Sequence, residues 1–151
     1  MNKSSNLNLG LFLMRLGVGA FFIVHGVSKL MNMNAPAEEM GTVAMFGQMG
    51  LSPVLAWAVA IIEALGGLAL VLGVLLPLVT VLLAIIMLVA MRFVWSMGFI
   101  AGWGPNSVYL LTLLGLLFTG PGEWALLTGK RAGHAAAPSA SAQSASTSDQ
   151  E

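Results

Sequence analysis

The stretch VLAWAVAIIEALGGLALVLGVLLPLVTVLLAIIMLVAM, from Val54 to Met91, contains a single charged side chain, Glu63. As one straight helix it would run about 57 Å, against roughly 30 Å of bilayer hydrocarbon, so it must double back on itself. Gly73 and Pro77 near its middle supply the turn, and each half is then long enough to cross a membrane. A carboxylate near the middle of such a span is expensive unless it faces the interior of a helix bundle and finds a partner there. That requirement singles out Glu63 as the first candidate for function.

The composition of the whole chain agrees. Of its 151 residues 58% are hydrophobic and 8% charged, whereas soluble domains carry charge on about a quarter of their residues. A formal net charge of zero gives no electrostatic reason to expect nucleic acid as a partner; the lipid bilayer is the expected one. Cysteine is absent, which excludes disulfides, thiol exchange and every cysteine-ligated metal centre.

Outward from Glu63, the composition predicts three further elements. A first span covers Leu7 to Leu30, interrupted by Arg15 and ending with His25 and Lys29, the latter placed to reach the interface. Lys3 ahead of this run and Ala35-Pro36-Ala37 after it resemble a signal peptide. Arg15 breaks the apolar region and the small residues lie far beyond its end, so the expectation is a retained helix. Asn32 to Ser52 reads as a loop with a brief interfacial helix around Val43–Met49, followed by span two at Pro53–Leu72 and span three at Leu76–Val94. After a loop with Gly98, Gly102, Gly104 and Pro105, span four runs from Asn106 to Phe118 and stops at Gly120-Pro121-Gly122.

The predicted fold is all-α, an integral membrane four-helix bundle over residues 1–131. A disordered Ala/Ser-rich tail over 132–151 follows, without large apolar residues to bury. Trp57, Trp95, Trp103 and Trp124 fall near span ends, where indoles favour the headgroup region. An even span count puts both termini on one side, and Lys3, Lys130 and Arg131 make that side cytoplasmic.

Helical spacing shows which faces meet. Ala56, Ala60, Glu63 and Gly67 form one stripe, and Arg15, Gly19, Phe22, Gly26 and Lys29 form another; small residues in each let two helices approach closely. Counting depth from opposite membrane sides brings Arg15 within about 6 Å of Glu63, which predicts an Arg15–Glu63 ion pair or a proton relay at Glu63. The same count gathers His25, Lys29 and Arg92 into a basic end, with His25 titratable near neutral pH. Such an end suits an anion or a quinone carbonyl. The structural alternatives are an ion pair that only fixes helix register and basic residues that only anchor span ends. Met31, Met33, Met40, Met45 and Met49 raise a copper(I) reading, against which stands the absence of His or Cys in that loop; flexible apolar filler is the better account and no metal site is predicted. No phosphate loop, zinc-protease motif, nucleophile elbow or dinucleotide fingerprint is present.

Three groups of residues together resemble the DoxX family of small four-helix membrane proteins: Arg15-Leu16-Gly17 with His25-Gly26-Val27-Ser28-Lys29-Leu30, then Glu63-Ala64-Leu65-Gly66-Gly67 leading to Leu72-Gly73, and Thr119-Gly120-Pro121-Gly122-Glu123-Trp124. The resemblance covers Leu9 to about Leu127. It implies a bacterial inner-membrane protein tied to redox or sulfur metabolism, since relatives include membrane subunits of a thiosulfate:quinone oxidoreductase and a membrane component that assembles with a superoxide dismutase and a sulfurtransferase. The chain departs from the family where Asn106-Ser107 replace an acidic residue, and where Ala125-Leu126-Leu127 replace a Ser-Leu-Asp. Two functions of different class follow. One is a membrane subunit of a quinone-linked oxidoreductase, inactive alone, with redox partner subunits. The other is a non-catalytic scaffold or assembly factor. A small proton-coupled transporter is a third reading, and would require a homo-oligomer to provide alternating access.

Overall fold

Ser52 and Pro53 begin the helix that carries Glu63. In the computed structural model, which describes residues 3–39 and 41–126, the Leu55 amide donates to the Ser52 hydroxyl at 3.3 Å. Pro53 occupies the first turn, where a missing N–H leaves nothing unsatisfied. The helix ends where Gly73 turns left-handed at φ 71°. There the Gly73 amide donates to the Leu70 carbonyl and the Val74 amide to that of Ala69, at 3.2 and 2.9 Å, a Schellman termination. Leu75, also left-handed at φ 50°, completes the reversal, and Pro77 opens the next helix. The fold-back expected from Gly73 and Pro77 is present.

The helices are α1 (Lys3–Met31), α2 (Thr42–Gln48), α3 (Pro53–Leu72), α4 (Leu76–Phe93) and α5 (Gly104–Thr119). A 3₁₀ turn, Ala37–Glu39, precedes α2. The segment expected as a plain glycine-containing loop after α4 is helical instead, with a 3₁₀ turn at Trp95–Met97 and a π-turn at Phe99–Trp103 running directly into α5. Trp95 and Trp103 stack there at 5.0 Å. That contact, together with Phe99 edge-on to Trp103 at 4.7 Å, supplies the packing that the glycines alone did not reveal.

Four of these elements are long and apolar enough to cross a membrane: Lys3–Met31, Pro53–Leu72, Leu76–Phe93 and Phe99–Thr119. Each neighbours the next around a ring, α1 on α3, α3 on α4, α4 on α5 and α5 back on α1, with the α1–α3 interface the most extensive. The interior is built from Phe22, Leu70, Leu83, Met87, Leu113 and Leu116. The outward faces are equally apolar, with Leu13, Val24, Leu65, Leu78, Ile85, Leu88, Leu111 and Phe118 all exposed. Apolar surface on both the inside and the outside of a helical bundle suits lipid as the solvent, because the helices satisfy their own backbone groups. The protein is a multi-pass membrane protein whose outer faces contact the bilayer. The expected tail, 132–151, lies outside the described residues.

The two predicted stripes do face each other. Ala56, Ala60, Glu63 and Gly67 on α3 are buried, as are Arg15, Gly19, Phe22 and Gly26 on α1. A Cβ at Gly67 would sit 2.6 Å from the Gly19 carbonyl oxygen and 2.7 Å from the Ile23 amide, and one at Gly26 would overlap the backbone of Ala60 and Ala64. Only glycine permits this approach, and it sets the register: Gly19 is level with Gly67 and Val71, and Gly26 with Ala60 and Ala64.

Candidate functional site

That register determines the partner of Glu63. Helix α1 runs antiparallel to α3, so the residues level with Glu63 are those around His25 to Lys29. The Lys29 ammonium donates to Glu63 Oε1 at 2.7 Å. Glu63 is fully buried and the Lys29 side chain 16% exposed. The expected Arg15–Glu63 pair is not formed. Arg15 lies ten residues from the α1 position level with Glu63, about 15 Å along the helix axis. The depth count failed because it began both spans at the same level, whereas α1, with 29 residues against 20 for α3, overhangs the α3–α4 turn.

The Lys29–Glu63 pair sits beneath a cap. Thr42 at the start of α2 donates its hydroxyl to the Lys29 carbonyl at 2.9 Å. The Thr42 and Val43 amides bond to the Asn32 and Met33 carbonyls, so the loop after α1 folds back across the end of the bundle. Met33 and Phe46 pack with Ala56 and Ala60 beneath it. Of the methionines considered for copper, Met33 is buried in that cluster with Met45 packed against it, while Met31 is 81% exposed. Met40 lies outside the described residues.

One oxygen of the carboxylate is left over. Glu63 Oε2 is buried and has no hydrogen-bond partner among the described residues, although a carboxylate can accept several. His25 lies one turn before Lys29, within electrostatic range of both Lys29 and Glu63. Its ring stacks on Phe21 at 5.3 Å with 14° between planes, and Phe21 stacks on Tyr109 of α5 at 3.8 Å and 15°. Phe22 meets Tyr109 at a steeper angle, 62°. The stack therefore links α1 to α5 beside the ion pair. Tyr109 was missed by the sequence reading; its signal was available, since it is the one tyrosine in the chain and stands within an apolar span.

Arg92 is at the same end of the bundle, in the last turn of α4, but it is exposed. It forms no ion pair among the described residues, and α4 packs on α3 and α5 rather than on α1. The structure pairs Glu63 with Lys29, places His25 one turn away on α1 as an exposed ring against Phe21, and leaves Arg92 and Arg15 apart from them. A buried Lys–Glu pair with a spare carboxylate oxygen and a neighbouring imidazole can donate hydrogen bonds, present positive charge and pass a proton.

Comparison with known proteins agrees with this architecture. The DoxX family model matches residues 10–97, which include every residue of the Glu63–Lys29–His25 group. A protein of Bacillus subtilis (strain 168) named "Putative oxidoreductase CatD" is 34% identical over 121 residues, covering 80% of this chain and 84% of the relative. No solved structure matches significantly. The family match spans more than half of the sequence, and the four-span helical architecture agrees with it: this chain belongs to the DoxX family.

Proposed function

We propose that this chain is a membrane subunit of a quinone-linked redox complex of the bacterial inner membrane, with both termini in the cytoplasm and the α2 cap on the outer face. The observation that carries the reading is the Lys29–Glu63 pair around a fully buried carboxylate, in which Glu63 Oε2 has no hydrogen-bond partner among the described residues. The Lys29 ammonium and the His25 imidazole offer donors to a carbonyl oxygen. Glu63 Oε2 is the base to which a proton can pass, and the ring stack through Phe21 and Tyr109 provides a flat wall beside them. These residues fit a quinone head group, whose two-electron, two-proton chemistry would be the redox capacity of the assembly. The electrons come from a partner subunit, because this chain has neither cysteine nor a converging set of three His, Asp or Glu side chains among its described residues. Arg92 contributes only positive charge at the same end. The relative's name as an oxidoreductase supports the same class of function.

The test uses the complex isolated from its native membranes. His25→Phe keeps a ring that can stack on Phe21 while removing both nitrogens. It should accumulate normally, and extracted quinone should fall to background with loss of quinone-linked activity. Unchanged quinone content and activity in His25→Phe would assign the group a purely structural role and favour the scaffold.

A further inference from the structure

Arg15 has no counter-ion among the described residues. Its side chain is fully buried, and it is permanently charged with five N–H donors on three nitrogens. One bond is made, from Nη2 to the Trp124 carbonyl at 3.2 Å, and the guanidinium carbon lies 5.9 Å from the Phe12 ring centroid, while Nε and Nη1 have no hydrogen-bond partner among the described residues. Glu63 is taken by Lys29, and Glu123 is exposed and accepts from Asn8 at 2.7 Å. The group rests against the α3–α4 turn: a Cβ at Gly73 would overlap both Arg15 Nη1 and the Ala125 methyl. The carbonyl end of α3 supplies partial negative charge there, but among the described residues no carboxylate completes the guanidinium fork.

Residues 120–126 close over this group as a strap. The Asn8 side chain both donates to the Glu123 carboxylate and accepts from the Glu123 amide. The Leu126 amide donates to the Leu72 carbonyl at 3.2 Å, and Trp124 packs on Phe12 at 6.0 Å. Two left-handed glycines, Gly120 at φ 80° and Gly122 at φ 71°, stand at its base, where hinge rotation is easiest. We infer that Arg15 anchors a binding site for a small oxyanion, a sulfate, phosphate or carboxylate, reached when the strap hinges open. Such ligands match a guanidinium with unused N–H groups. The site lies at the opposite end of the bundle from Lys29, about 21 Å away along α1, and does not rest on the quinone reading.

The experiment uses the full-length protein, purified in detergent without phosphate or sulfate. Thermal unfolding is followed against sodium sulfate, phosphate or acetate, with sodium chloride at matched ionic strength, and in nanodiscs with or without phosphatidylglycerol. Sulfate stabilises many proteins without binding, so the signal sought is a rise that grows with the logarithm of anion concentration above Kd, about 5–10 °C near 100-fold Kd, and that depends on Arg15. A rise with free ions identifies a soluble ligand; a rise only with phosphatidylglycerol identifies a lipid phosphate as the source of the same chemistry. Arg15→Gln should lose the response. Ala125→Asp should also lose it, while unfolding no earlier than the parent, because it places a carboxylate beside the charged guanidinium. Absence of any rise beyond that of Arg15→Gln, or a rise retained in Ala125→Asp, would overturn the assignment. So would failure of Ala125→Asp to fold, since the added carboxylate would then have found no charge to meet.

Discussion

Removing Lys29 or Glu63 alone leaves a charge in a place built for two. At 2.7 Å and an effective dielectric near 20, the attraction is roughly 6 kcal/mol before desolvation is subtracted. Breaking buried pairs by deleting one partner costs about 3–5 kcal/mol, because the survivor remains buried and unpaired. Lys29→Met and Glu63→Leu should each lower the unfolding midpoint in detergent by about 10 °C, taking 2–4 °C per kcal/mol for a chain of this size. The double variant should lose clearly less than the sum, with a coupling of about 1–3 kcal/mol. The control is the Arg15→Leu and Glu63→Leu cycle, whose members are separated by about 15 Å along the helix axis and should be additive within about 0.5 kcal/mol. Additivity in the Lys29 cycle, or strong coupling in the Arg15 cycle, would show that the α1–α3 register differs from the one described, and the site built on it would fall.

The helix seam and the orientation can be tested as directly. Gly26→Leu puts a side chain into the backbone of Ala60 and Ala64 and should prevent α1 from seating on α3, lowering the midpoint by more than Gly17→Leu, where a Cβ meets nothing within 4 Å. For topology, cysteines introduced singly at Ser5, Ser52 and Ser144 should divide into one labelled from outside the cell, at position 52, and two protected; the opposite pattern would invert the orientation.

Much of the architecture was legible because lipid imposes few solutions. A charge-poor run too long for one crossing must turn, and Gly73 with Pro77 leaves one place for it. Span two was bounded at the residues observed, since Ser52-Pro53 and Leu72-Gly73 are local signals with local physics. The interior stripes were legible for a similar reason, as small residues at steps of three and four mark a close helix contact. Register was not. It depends on how far α1 overhangs α3, which is set by Gly19, Gly26 and Gly67 locking together, and a one-turn error moves a side chain by about 5 Å. The strap was equally hidden. Gly120-Pro121-Gly122 announces that a helix stops, but not that the chain returns to cover Arg15.

The two interior-facing cations of α1, Arg15 fully buried and Lys29 partly so, differ in a way that matches their surroundings. Lys29 is a compact ammonium that can be matched by one carboxylate oxygen and can release a proton, and its partner keeps a second oxygen unused. Arg15 does not release its proton, so it serves poorly as a proton carrier and well as a fixed positive charge with directional donors. Exchanging them would not conserve function. Lysine at position 15 would place a point charge where a planar fork now reaches the Trp124 carbonyl, and arginine at position 29 would hold Glu63 as a permanent carboxylate, leaving the proposed quinone end of the bundle charged but unable to move a proton. On this reasoning Lys29→Arg should preserve the fold and the midpoint more closely than Lys29→Met, yet lose quinone-linked turnover. A Lys29→Arg variant with full activity would remove the proton from the role of that pair and leave it a register-fixing contact.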